Sequence, residues 1–325
     1  MDAPPFVARR PAAPLGRGEH PEFGPLAPYL ADPAVTDVFV NGAHDVWVDR
    51  GAGPERQSAA QLDEAGVRDL AVRLVALGGR HLDESTPCVD ARLQEGIRVH
   101  AVLPPISPRG TLLSIRVPHT TPFTVPGLAA AGFFDEVPAA PVVALVAARA
   151  NLLITGAAGS GKTTLLSALL SEAAPGERIV AIEDVAELRV RHPHFVSLEA
   201  RQANLEGAGG VGLARLLREA LRMRPDRLVL GECRGEEIRE LLAALNTGHD
   251  GGAGTLHANS LEDVPARLEA LGSLAGLSPS AVARQAVSAI GAVLHLERRG
   301  GMRRLAQLGS LELDARDRLA VRSAA

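Results

Sequence analysis

The single lysine of this chain, Lys162, closes the run Gly156-Ala157-Ala158-Gly159-Ser160-Gly161-Lys162-Thr163, with Thr164 immediately after it. All the other residues among the 34 Lys+Arg are arginine, the pattern expected of a coding bias that replaces lysine wherever arginine serves as well. A phosphate-binding loop is a place where it does not. Glycines let backbone N–H groups wrap phosphate oxygens, a compact ammonium reaches the β- and γ-phosphates, and a hydroxyl such as that of Thr163 holds Mg²⁺. A planar, forked guanidinium cannot replace that point charge. The flanks agree: residues 151–155 read as a short buried strand, and Thr163 to Leu170, with apolar Leu165, Leu166 and Leu169, as a helix start. Strand, glycine loop and helix stand in the order that sets a phosphate on a helix N-terminus, so ATP with Mg²⁺ is the implied ligand pair.

Two more segments carry carboxylates at the ends of apolar runs. Residues 178–184 end in Glu183-Asp184, and residues 226–232 end in Glu232. Ligands of open parallel sheets bind at the carboxyl ends of the strands, which brings both acidic ends toward the loop. Glu232 stands where a strand-borne acid is needed for catalysis or for Mg²⁺, partly through water; Asp184 serves equally well as a helix cap. Between Thr247 and Asn259 lie His249 and His257, separated by glycines. With no cysteine near them they suit zinc poorly, and an imidazole that donates to phosphate oxygens or orients water suits them better. Simple loop polarity is the other way to account for them.

The elements needed to position these groups can be read from periodicity. Residues 35–40 and 45–49 read as strands joined through Asn41-Gly42, and Val67, Leu70, Leu74 and Leu77 mark a helix ending at Gly78-Gly79. Strands at 97–103 and 111–117 complete a small α+β unit. Beyond a proline-rich connection, strands and helices alternate through residues 151–246, which argues for an α/β unit with a parallel sheet. Two further helices follow residue 260, then strands near 292–297 and 305–313. The expected organisation is a disordered arm (1–24), an α+β domain (25–117), a linker (118–141) and a phosphate-loop domain (142–325).

Composition narrows the class. With 325 residues, 46% hydrophobic and 22% charged, the chain can hold two cores. A net charge of −4 and 3% aromatic content offer neither a basic field nor a stacking platform, so direct nucleic-acid binding is not expected. No run approaches 18 apolar residues, which excludes a membrane-spanning helix from the expectations. Cys88 and Cys233 read as reduced core residues of a cytosolic protein.

Taken together, residues 156–164, 178–188, 221–235 and 246–260 resemble the Walker A, Asp box, Walker B and His box of the type II/type IV secretion-system ATPases. The resemblance is nearest to the Tad/Flp pilus-assembly and conjugal-transfer (CpaF/TadA-type) branch, and Thr36 to Gly42, Gly79 to Ser85 and Val89 to Pro105 agree with it. It implies a RecA-like ATPase domain behind the smaller N-terminal domain, ATP hydrolysis, and a hexameric motor. The partner would be a polytopic inner-membrane platform protein, at the cytoplasmic face of the membrane. By position, Lys162 and Thr163 would meet phosphate and Mg²⁺, Glu183 would be the Asp-box acid and Glu232 the Walker-B acid. His257, supported by His249, would be the sensor, with Arg98, Arg116 and Arg92 as candidate phosphate-contacting arginines. The chain departs from the branch at Gly252-Ala253-Gly254, where a hydroxyl is usual, and at Val117, where a basic residue is usual. A DNA-dependent translocase and a low-turnover nucleotide-gated switch are the competing functions.

Overall fold

A computed structural model describes residues 20–58, 62–118, 122–201 and 209–324 of the chain. It divides into two compact units, Met1–Thr121 and Pro122–Ala325.

The first unit begins with a 3-10 turn at Pro21–Leu26 and a short helix α1 (Ala27–Ala31). Strands β1 (Asp37–Asn41), β2 (Val46–Asp49) and β3 (Pro54–Gln57) precede helix α2 (Glu64–Leu77), whose N-cap Asp63 accepts from the Gly66 N–H at 2.8 Å. Strands β4 (Cys88–Arg92), β5 (Arg98–Val102) and β6 (Leu112–Arg116) complete a six-stranded antiparallel sheet in the order β3-β2-β1-β6-β5-β4. Alternation places Val38, Val40, Val99, Ala101, Leu113 and Ile115 on the buried face, with Leu70 and Leu74 of α2 in the same core. Phe23 and Leu26 are buried there too, so the arm expected to reach residue 24 does not extend so far; its first 19 residues lie outside the described ones. Cys88 is exposed at the start of β4, against the expectation of a core thiol, whereas Cys233 is buried.

The second unit opens with α3 (Val125–Ala130) and α4 (Ala139–Ala147). Phe133 and Phe134 between them are buried in its core; most of the expected linker is therefore part of this unit, because its apolar residues cover one face of the sheet. The alternating elements are β7 (Leu152–Gly156), α5 (Lys162–Leu170), β8 (Ile179–Glu183), β9 (Phe195–Glu199), α6 (Leu213–Leu221), β10 (Arg227–Cys233), α7 (Ile238–Leu245) and β11 (Ala253–His257). Helices α8 (Val264–Leu274) and α9 (Pro279–Ala289) lead to β12 (Ala292–Arg299), β13 (Met302–Leu313) and β14 (Leu319–Ala324).

These eight strands run in the order β14-β13-β12-β7-β11-β10-β8-β9, parallel from β12 to β9 and antiparallel from β12 through β14. Separate apolar clusters cover the two faces: α3, α4 and α5 contribute to one, α6 to α9 to the other. The Gly-rich segment before His257 is a central strand rather than a loop. Its glycines serve packing: a Cβ on Gly252 would stand 2.3 Å from Leu245 Cδ2, and one on Gly254 3.1 Å from Leu241 Cδ2. The absence of a hydroxyl at these positions thus lets α7 lie close against β11.

Candidate active site

β7 ends at Gly156, and the chain turns through Gly156, Gly159 and Gly161 at φ of 146°, 70° and 99°. A Cβ on Gly156 would fall 2.4 Å from the Leu296 carbonyl oxygen, so this turn accepts only glycine. Gly161 caps α5 in the left-handed conformation, leaving Lys162, Thr163 and Thr164 in the helix's first turn. Lys162 Nζ donates to the carbonyls of Gly156 and Ala157 at 3.0 and 2.9 Å. Burial holds its pKa below the ordinary lysine value, with Glu232 acting in the opposite sense and Arg234 in the same one. Ser160 Oγ is buried without a partner. A buried ammonium, an unpartnered hydroxyl and a glycine cradle at a helix N-terminus fit the phosphates of a nucleotide.

Adjacent strands bring the other groups to the same end of the sheet. Gly156 pairs with His257 across β7 and β11, and β11 lies beside β10, which carries Glu232. His257 Nε2 is 2.5 Å from Glu232 Oε1, and Arg234 Nη2 contacts Oε2. Burial first, then the charges of Lys162 and Arg234, lower the His257 pKa against the pull of Glu232. Glu232 Oε1, though this close to the ring, accepts no hydrogen bond.

Glu183, at the end of β8, is 3% exposed. Its Oε1 accepts the N–H groups of Glu187 and Leu188 at 2.9 and 3.1 Å, while Oε2 has no partner. Burial raises its pKa to about 7, opposed by those two N–H bonds. Gly231 provides the space, since a Cβ there would stand 2.5 Å from Glu183 Cγ.

His249 is not in this site. It precedes β11, and its Nδ1 is 3.2 Å from the Ala244 carbonyl at the end of α7. The five residues of β11 alone span about 13 Å at ~3.3 Å per residue, so the two histidines flank opposite ends of one strand.

The candidate arginines belong to the first unit. Asp37, Arg116, Arg98 and Arg92 are successive cross-strand neighbours on β1, β6, β5 and β4. They share the face opposite the buried Val99 and Ile115. Arg116 Nε is 3.6 Å from Asp37 Oδ1. Val117 points into the core, and its N–H donates to Thr36 O at 2.8 Å; the cationic neighbour of Arg116 across the sheet is Arg98.

Sequence reasoning did not single out two residues that the fold supplies. Arg234, just past the end of β10, clasps Glu232, and its spacing of two from that acid was the available signal. Arg303, on β13, donates from Nε to the Gly159 carbonyl at 2.9 Å, a contact made over 144 positions and without a local signature.

The family model described as "Type II/IV secretion system protein" matches residues 19–299. A putative conjugal transfer protein of Mycobacterium tuberculosis is 50% identical over 295 residues, 89% of this chain and 84% of that relative. The type IV secretion system protein VirB11 of Brucella suis is 32% identical over 263 residues, 73% of each chain. Among solved structures, the pilus retraction motor PilT with bound ADP superimposes with a TM-score of 0.61 at 18% identity, covering 90% of this chain and 80% of that one. The Legionella pneumophila ATPase DotB gives 0.56 at 17% identity, covering 90% and 77%. At these identities the structural likeness establishes the fold, an N-terminal domain followed by a RecA-like domain.

Proposed function

The chain belongs to the type II/IV secretion system protein family, and from that membership we propose that it is an ATP-hydrolysing motor for a pilus-assembly, secretion or conjugal-transfer machine. The observation that carries the proposal is the meeting of Lys162, Glu232 and His257 at the carboxyl ends of three adjacent strands. Lys162 and the loop N–H groups would hold the β- and γ-phosphates, and Thr163 with Glu232 would hold Mg²⁺, partly through water. The ion, when bound, would offset phosphate charge that builds up during the reaction. Glu232 would orient or deprotonate the attacking water, His257 would donate to phosphate or water, and Glu183 offers a second proton acceptor near pH 7.

Arg98 and Arg116 would close over a phosphate held by a neighbouring copy, because charge spread over γ-phosphoryl oxygens is best met by a guanidinium. That reading favours a ring, a hexamer by resemblance, at the cytoplasmic side of a membrane against a polytopic platform protein of Tad/Flp or conjugal type. No helix among the described residues is long and apolar enough to cross a membrane.

The test is Mg²⁺-dependent phosphate release by the purified chain and its Lys162→Ala variant. Turnover in the wild type and its loss in the variant are expected. A variant within a few-fold of wild type removes the site assignment; turnover that requires DNA favours a translocase, and tight binding without turnover favours a switch.

A further inference from the structure

Glu232 is a carboxylate on a flexible stem, and rotation about its terminal torsion is broad and nearly two-fold. A guanidinium held in a fixed place against one oxygen restricts that rotation. Here Arg234 contacts Oε2, while Oε1 lies 2.5 Å from His257 Nε2 and accepts no hydrogen bond. Glu232 and Arg234 project from the same side of the chain because they are two residues apart, while Cys233 between them turns into the core at 2% exposure.

The backbone carrying Arg234 is itself held. Glu237, 6% exposed, accepts the N–H groups of Arg234 and Gly235 on one oxygen at 2.6 and 2.8 Å. A Cβ on Gly235 would come within 3.2 Å of the other oxygen, so the turn leaving β10 is closely packed around that buried carboxylate. The Arg234 side chain is 63% exposed and Glu232 21%. An ion pair so open to water adds little to stability, which leaves orientation as its main effect.

We propose that Arg234, anchored through its backbone by Glu237, is the positioning residue that fixes the carboxylate plane of Glu232 for ATP hydrolysis. The inference rests on the ATPase reading and adds to it a residue that acts through Glu232. A guanidinium suits the task, since its planar fork keeps a fixed direction toward a carboxylate that an ammonium does not impose.

The test is a cycle of Arg234→Gln, Glu232→Gln and the double variant in the full-length chain, followed by steady-state and single-turnover hydrolysis. Arg234→Gln should lower kcat by roughly 10- to 100-fold, the usual effect of removing a group that orients a catalytic ligand, with KM for ATP kept within about two-fold. In the Glu232→Gln background it should cost nothing further. Arg234→Lys should recover part of the loss, and it serves as the measurable variant if Arg234→Gln folds poorly. Equal losses in both backgrounds, or a raised KM with kcat intact, would overturn the proposal in favour of direct phosphate contact. If the wild type hydrolyses no ATP, the ATPase reading fails and the proposal falls with it; equal losses in an active enzyme fault the positioning alone.

Discussion

The two ends of the parallel sheet in the second unit are built on opposite plans. At the amino ends of the strands Arg227, 3% exposed, donates to the Glu177 carboxylate and the carbonyls of Val146 and Gly251, and Arg149 to the Glu177 carboxylate and the main-chain carbonyls of Asp226 and Asp250. Asn151 donates to the carbonyls of Leu245 and Ala289 and accepts the Gly252 N–H. Burial alone would raise the Glu177 pKa, yet the two arginines bring it below the ordinary value. At the carboxyl ends, Ser160 and Glu183 each keep a buried oxygen unpartnered, and Lys162 is buried against carbonyls alone. Buried polar groups cost free energy unless they are paired. The saturated end is therefore the part that holds the sheet together, and the unsaturated end carries polar capacity that a phosphate ligand can satisfy.

The largest expected effect tests the first half of that contrast. Arg227→Ala removes the buried partner of Glu177, leaving that carboxylate to Arg149 alone and the Val146 and Gly251 carbonyls unpaired, which should destabilise the second unit by about 3 kcal/mol, the lower end for a broken buried pair, measured by denaturant unfolding. Lys162→Ala should leave the unfolding midpoint nearly unchanged while abolishing hydrolysis. If Arg227→Ala unfolds like the wild type, the amino end is not the structural anchor.

Glu183 sharpens the contrast through pH. Its folded pKa, about 7 against an ordinary 4.5, is raised, so protonation favours the folded state: the contribution is whole below pH 4.5 and is lost as pH rises through 7. Relative to Glu183→Gln, the wild type should lose about 3 kcal/mol of stability between pH 4 and pH 8. Parallel stability profiles for the two proteins would show that the burial is relieved.

Next comes Glu232→Gln, which should slow hydrolysis by roughly 10², about 2.7 kcal/mol, with ATP binding retained. Equal loss of binding would assign Glu232 to the metal alone. The smallest effect is expected at the two histidines compared with each other: His257→Ala should lower turnover at least ten-fold, on the scale of a lost catalytic donor. His249→Ala, at the other end of β11, should change it by less than about three-fold, the scale of a substitution that removes one partly exposed hydrogen bond. Similar losses in both would contradict their placement.

Much of this architecture was legible beforehand. Lys162 among arginines, three glycines and two apolar flanks identified the loop, because phosphate binding demands those residue types at those spacings. Glu183 and Glu232 were legible because each ends an unbroken apolar strand. Strands β3, β4, β9 and β14 were not: all four are sheet edges, and in β3 the exposed Pro54, Glu55 and Arg56 carry no alternation to read. β11 was hidden for a different reason. Gly254 within it and Gly252 just before it make room for Leu241 and Leu245 of α7, yet in sequence they look like turn residues.

What the amino-acid sequence determined by itself was local: the glycine loop and its lysine, the strand-end acids, and the alternation that makes a parallel sheet. These depend on neighbours within a few residues, where spacing along the chain is also spacing in space. Tertiary structure decided which histidine shares the site, since the five residues of β11 and the turn before it carry His249 to the far end of the sheet. It also decided that Arg303 touches the loop and that Val117 faces a core while Arg98 stands beside Arg116. Those outcomes follow from strand order and register, which are set by burying two faces of a sheet at once and which no local window of sequence contains.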